Sequence, residues 1–205
     1  MKIELCAIAA ACALAFSSGA FAGGGHHGHN HGNGHNHGNN PSAPQTQEAE
    51  TYQDGYMNDA EILQLHNGDA TAYIGQEGAL NTGYAYQTST ASSDVDVWQD
   101  GAGNDADATQ SGTDQADSTI TQQGYYNTAV TLQLDGVGQS SHIVQKGAGN
   151  DGNIRQNAGR TQEASIFQNG FLNTSGITQS GSFNTASSYQ FGMGNSSTIT
   201  QTSAY

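Results

Sequence analysis

Fourteen glutamines recur along the later part of this 205-residue chain at intervals of 11 or 12 residues. Gln53, Gln64, Gln76, Gln87, Gln99, Gln110, Gln122, Gln133, Gln145, Gln156 and Gln168 alternate the two spacings, and Gln179, Gln190 and Gln201 continue at 11. Two intervals make a unit of 22 or 23 residues, within the range where a fixed period marks a solenoid or stacked array. Any fold proposed for this chain has to place those amides in equivalent positions.

The residues around each glutamine alternate with period two. Two places before it stand mostly β-branched or apolar residues, among them Ile62, Ile74, Val97, Ile120, Ile143, Ile154, Ile166, Ile177 and Ile199. Four places before it the residue is small in thirteen of fourteen cases, Val95 being the exception. Such alternation predicts half-buried strands. A helix would scatter the same set around its whole circumference.

Alternate glutamines are followed by Gly and then Asn: Gly55 and Asn58, Gly78 and Asn81, Gly101 and Asn104, Gly124 and Asn127, Gly147 and Asn150, Gly170 and Asn173, Gly192 and Asn195. Glycine supplies the positive φ of a tight turn, and asparagine hydrogen-bonds nearby backbone. The intervening turns are less regular and mostly one residue longer. Each unit thus reads strand, G-x-x-N arc, strand, looser arc, which predicts seven units and fourteen short strands. No proline occurs after Pro44, as uninterrupted strand pairing requires.

One such unit buries almost nothing alone and must stack on its neighbours. The expected fold is all-β: a cross-β, amyloid-type β-solenoid of about seven strand-arc-strand repeats, preceded by a disordered tail. Stacking predicts two glutamine columns, Gln53 to Gln190 and Gln64 to Gln201, and an asparagine column, Asn58 to Asn195. At roughly 4.8 Å per rung, each amide donates to one neighbour and accepts from the other.

Residues 1–22 have one Lys, an apolar run from Leu5 to Phe16 and the small-residue pattern Ala20-Phe21-Ala22, which predicts a secretory signal peptide. Both cysteines, Cys6 and Cys12, fall inside it, so no disulfide is expected in the exported chain. Beyond the leader three basic residues (Lys146, Arg155 and Arg160) face seventeen acidic ones. That balance excludes nucleic acid as a partner, because no cluster of cations exists to displace counterions. Residues 23–46 are Gly, His and Asn with no apolar side chain larger than Ala, and are expected to be disordered and solvated. Six histidines between His26 and His37 could take Zn, Ni or Cu, but their spacing matches no structural site, and no cofactor or metal is assigned. Residues 47–205 form the repeat region.

The repeat resembles the curlin repeat, Q-x-G-x-x-N-x-A-x-x-x-Q, of curli fibre subunits. The match is literal from Gln53 to Gln64 and recurs at Gln99 to Gln110, Gln122 to Gln133 and Gln179 to Gln190. The Gly/Asn/His tract is similar to the segment that addresses curlins to their outer-membrane secretion channel. The resemblance implies a secreted structural subunit of extracellular fibres in the biofilm matrix of a Gram-negative bacterium, with itself, a nucleator subunit and that channel as partners. It favours the major subunit over the nucleator, since the final residues, GNSSTITQTSAY, lack basic side chains. Curlins usually carry about five repeats and this chain has seven. Gly83, Gly152, Ser175 and Ser197 replace the motif's Ala.

Other features support no catalytic reading. Asp94/Asp96 and Asp105/Asp107 place paired carboxylates on one strand face, but no insertion builds a pocket beside them. They read as outward charges that discourage premature edge pairing. His66 and His142 are isolated. The G-A-G-N-D segments at 101–105 and 147–151 recur two units apart, too far for a calcium-binding nonapeptide roll. Outward residues are too mixed for an ice-binding face. A monomeric surface module that binds glycans through Tyr73, Tyr84, Tyr86 and Trp98 is the alternative.

Overall fold

The computed structural model describes residues 46–204, which are strand and turn throughout, without a helix. The signal peptide, the secretion-targeting segment and the metal question at His26–His37 concern residues outside those described, Thr46 excepted.

Twelve strands follow one another: β1 (Gln47–Tyr56), β2 (Asp59–Leu65), β3 (Ala70–Ala79), β4 (Thr82–Thr88), β5 (Ser93–Ala102), β6 (Asp105–Ser111), β7 (Asp117–Tyr125), β8 (Thr128–Ala148), β9 (Asp151–Phe171), β10 (Thr174–Ser180), β11 (Thr185–Met193) and β12 (Ser196–Thr202). All pair in parallel, and up to the last step each residue meets the one 23 positions further on, as Gln47 meets Ala70 and Asp59 meets Thr82. One stack runs through β1, β3, β5, β7, the later halves of β8 and β9, and β11. The other runs through β2, β4, β6, the earlier halves of β8 and β9, β10 and β12. The chain is therefore a β-solenoid of seven rungs: residues 47–69, 70–92, 93–115, 116–138, 139–161, 162–183 and 184–204. At about 4.8 Å per rung the stack is about 30 Å tall.

Two departures from expectation have local causes. The fourteen expected strands are twelve, because the loose arcs of rungs four and five stay paired through Gly136 with Gly159, Val137 with Arg160 and Gln139 with Gln162. β8 and β9 are therefore continuous over 21 residues each. The final step shortens to 22 residues, as in Glu163 with Thr185. There the loose arc takes the tight form: Gly181 has φ 89°, and Asn184 donates to the Ser180 carbonyl at 3.0 Å, as Asn81 does to Glu77 at 3.0 Å.

The core is thin and made of stacked like on like. Ile74, Val97, Ile120, Ile143 and Ile166 are fully buried in one column, and Ile154 and Ile177 in the other. Ala72, Ala106, Ala129 and Ala164 fill the narrow side. Each buried aliphatic contributes about 1.5–3 kcal/mol, and β-branched side chains suit a strand's restricted χ1. Small residues opposite them let the two sheets approach. The tight arcs turn on Gly124 and its six counterparts, whose φ values lie between 99° and 137°. A Cβ on Gly124 would run into the carbonyl oxygen of Gly147 on the next rung.

Candidate functional site: amide ladders and open end rungs

Every glutamine of the 11/12 grid lies on the next. In one column Gln53, Gln76, Gln99, Gln122, Gln145 and Gln168 each donate from Nε2 to Oε1 of the glutamine one rung on, ending at Gln190. In the other, Gln64, Gln87, Gln110, Gln133, Gln156 and Gln179 do the same, ending at Gln201. Distances at all of these steps are 2.8–3.0 Å. The second amide proton crosses the core to a carbonyl of the facing sheet: Gln99 to Thr82 at 2.8 Å, Gln145 to Thr128 at 2.8 Å, Gln133 to Asp117 at 2.9 Å. One side chain thus fixes the register of its own stack and ties it to the opposite one.

The asparagines form a third ladder of opposite sense. Nδ2 of Asn81, Asn104, Asn127, Asn150, Asn173 and Asn195 donates to Oδ1 of the asparagine one rung earlier at 2.9–3.2 Å. The same oxygen accepts the backbone N–H of the later asparagine, as Asn58 does from Asn81 at 3.1 Å. Nδ2 also donates to the glycine arc of the next rung, Asn104 to Gly124 at 3.0 Å and Asn150 to Gly170 at 3.1 Å.

Buried amides without partners would cost about 1–3 kcal/mol each. The interior rungs avoid that cost because each one supplies the partner of the next. Replacing Gln122, which is fully buried, with Ala is expected to lower stability by about 1–3 kcal/mol, measured as a shifted denaturant midpoint. Replacing Gln53 or Gln201 is expected to slow filament elongation more than Gln122→Ala does, if the end rungs form the growing contact as proposed below. Equal elongation rates would refute that ranking.

One ladder has no place on the grid. Gln139 donates to Gln162 at 3.0 Å, and Gln162 to the Gly181 carbonyl, beneath the paired loose arcs. The rung before offers Ala116 at this position, and Oε1 of Gln139 is left buried without a partner among the described residues. A recurrence at 23 residues was the available signal, visible only to a search that did not start from the main grid.

The stacks end openly. Among the described residues, β1 and β2 pair only with β3 and β4, and β11 and β12 only with β9 and β10. Gln190 and Gln201 donate to Thr174 and Thr185 and have no rung beyond them to take the other proton. Gln53 is exposed and Gln64 half-buried.

The acidic pairs point outward: Asp94 and Asp96 alternate with buried Val95 and Val97, and Asp105 and Asp107 with Ala106 and Ala108. Burial raises the Asp107 carboxyl above its ordinary range, partly opposed by a hydrogen bond from Thr109. Parallel register also stacks Asp54, Glu77 and Asp100 in one line, and Asp94 on Asp117. His66 lies exposed on the first loose arc. Among the described residues, no three His, Cys, Asp or Glu are grouped to hold a metal ion.

These three ladders, the glycine arcs and the 22-residue step come together in the last two rungs. Residues 173–202 match the curlin associated repeat. The matched segment opens at Asn173 and takes in Gln179, Gly181, Asn184, Gln190, Asn195 and Gln201, so the curlin repeat covers both arc types and all three ladders. No curated protein matches the chain. The rungs before the matched segment are held in register with it by parallel strand pairing.

Proposed function

We propose that this chain is a structural subunit of extracellular, curli-like amyloid fibres, self-assembling head to tail through its glutamine and asparagine ladders. The observation that carries the reading is the pair of open end rungs on a stack whose interior rungs each satisfy the next. A second copy supplies the missing rung at either end, and such a heterologous contact does not close, so a filament grows. The curlin repeat at residues 173–202 supports the same reading. Its role is structural rather than enzymatic. The major-subunit role is favoured over the nucleator, as the last rung, residues 184–204, has no Lys or Arg. A fibre outside the cell also requires export, for which residues 1–22 and 23–46 are the proposed leader and channel-addressing segment.

Electron microscopy of the purified chain held at neutral pH tests the function. Filaments are expected, and persistent monomers would favour a surface binding module. Deleting residues 23–46 is expected to leave assembly by purified protein intact while abolishing surface display, scored by immunolabelling of intact cells. Normal display of the deletion would remove the targeting role.

A further inference from the structure

The position two residues after each arc glycine holds a left-handed residue on every rung: Met57, Leu80, Gly103, Tyr126, Gly149, Leu172 and Gly194, with φ between 54° and 69°. From rung two onward, large side chains and glycine alternate. The large one leans over the glycine of the rung before it. A methyl added to Gly103 would lie 2.7 Å from Cδ1 of Tyr126, and one added to Gly149 would lie 2.9 Å from Cδ2 of Leu172. At Gly194, on the last rung, the same methyl would meet nothing within 4 Å. Its arc neighbour Gly192 is also open, whereas the other six glycines of that column sit against the carbonyl of the following rung. The next term in the alternation is a large residue, and rung one offers Met57, 63% exposed.

Charge and amide polarity select the same joint. Rung one carries six carboxylates, Glu48, Glu50, Asp54, Asp59, Glu61 and Asp69, while residues 184–204 carry no charged side chain. Stacking rung one on rung seven therefore brings no like charges together. Two first rungs face to face would set twelve carboxylates within about a Debye length. The last rung presents unfilled Gln190 and Gln201 donors, each with one proton given to Thr174 or Thr185, and the first presents the Gln53 and Gln64 Oε1 acceptors; Asn58 Nδ2 already donates to Asp54 and Gly78. Only opposite ends complement each other.

We propose that copies of this chain join in a single polarity and register, with Met57 of the incoming copy closing over Gly194 of the copy before it. This rests on the fibre reading and specifies its joint: the ladders give the affinity, and the Met57–Gly194 contact fixes which rung follows which.

Cross-linking tests the joint. In the full chain with Cys6→Ser and Cys12→Ser, Met57→Cys and Gly194→Cys are made separately, one carrying a mass tag. They are then mixed equally, assembled and oxidised. Adjacent rungs stand about 4.8 Å apart, within the Cα separation of roughly 4.4–6.8 Å that a disulfide spans. Disulfide dimers are expected only between unlike variants. Met57→Cys homodimers (two first rungs together), Gly194→Cys homodimers (two last rungs together), or filaments with no cross-link would overturn the proposal. Absence of filaments from the parent chain would instead overturn the fibre reading beneath it. Should the cysteine variants not assemble, seeded growth decides. Met57→Gly is expected to elongate several-fold more slowly than the parent, while Leu80→Gly, at the equivalent exposed position one rung inside the stack, grows at the parental rate. Equal rates for the two variants would overturn the proposal.

Discussion

Gly124→Ala is expected to abolish filament formation, whereas Gly176→Ala leaves it unchanged. Both add one methyl group to a paired segment of the same solenoid, so composition alone does not separate them. Gly124 holds φ 117°, and its added carbon would overlap the Gly147 carbonyl oxygen. Backbone in such a region costs a side-chain-bearing residue about 1–3 kcal/mol. The collision adds to that, because the obstacle is backbone and cannot rotate away. Relief would mean lifting rung five off rung four, which would lengthen the Asn150–Asn127 step, now 2.9 Å, and the Gln122–Gln145 step, also 2.9 Å. The total loss is expected to exceed about 3 kcal/mol, a hundredfold or more in the assembled fraction. Gly176 meets nothing within 4 Å of the same construction. Circular dichroism and electron microscopy of the two variants side by side measure the difference, and parental assembly by Gly124→Ala would show that the arcs are not close-packed.

The second large effect is kinetic. Neutralising Asp94, Asp96, Asp100, Asp105, Asp107, Asp114 and Asp117 to Asn is expected to shorten the lag before filaments appear several-fold. Register stacks Asp94 on Asp117 and Asp100 on Glu77, so the folded rungs hold like charges within a screening length that the extended chain does not enforce. Raised salt should act in the same direction, and so should acid, for a reason with a definite sign. The Asp107 carboxyl is raised by burial, so its ionised form penalises the folded rung. That penalty disappears as pH falls through the raised value towards the ordinary carboxylate range of about 4. Asp69 opposes the trend: two hydrogen bonds from Thr46, backbone and side chain, hold it low, and its stabilisation is lost as pH falls through that depressed value. The lag should therefore be shortest near pH 4 and not improve with stronger acid. An Asn variant that kept the parental lag at low ionic strength would show that these carboxylates confer solubility alone.

The solenoid was legible because repetition amplifies weak signals. A single Ile two places before a Gln says little, but Ile143, Ile154, Ile166 and Ile177 in the same relation fix a face and a period, and the register then puts Gln on Gln. The glycine arcs were readable for the same reason. Other features had no residue-type signature. Leu80, Tyr126 and Leu172 adopt left-handed backbone because the arc and its stacked neighbours impose it, although their side chains disfavour it. The Gln139–Gln162 ladder stood off the grid. The merging of arms into β8 and β9 through the loose arcs of rungs four and five had no signature either, since the loose arcs of rungs one to five are all of one length. The opposed senses of the Gln and Asn ladders follow from which carbonyl lies within reach of each amide, a matter of three-dimensional placement and not of residue type.

Because every strand pairing among the described residues joins positions 22 or 23 apart, no distant pairing among them staples the first rung to the last. Tension on the two ends of the chain therefore meets one rung at a time. Each rung that yields releases its 22 or 23 residues, at roughly 3.3–3.6 Å apiece about 75–80 Å of slack, before the next is loaded. A single chain pulled by its two ends lengthens by sacrificing rungs in turn. Whatever rungs remain offer the edge on which the released chain can wind back.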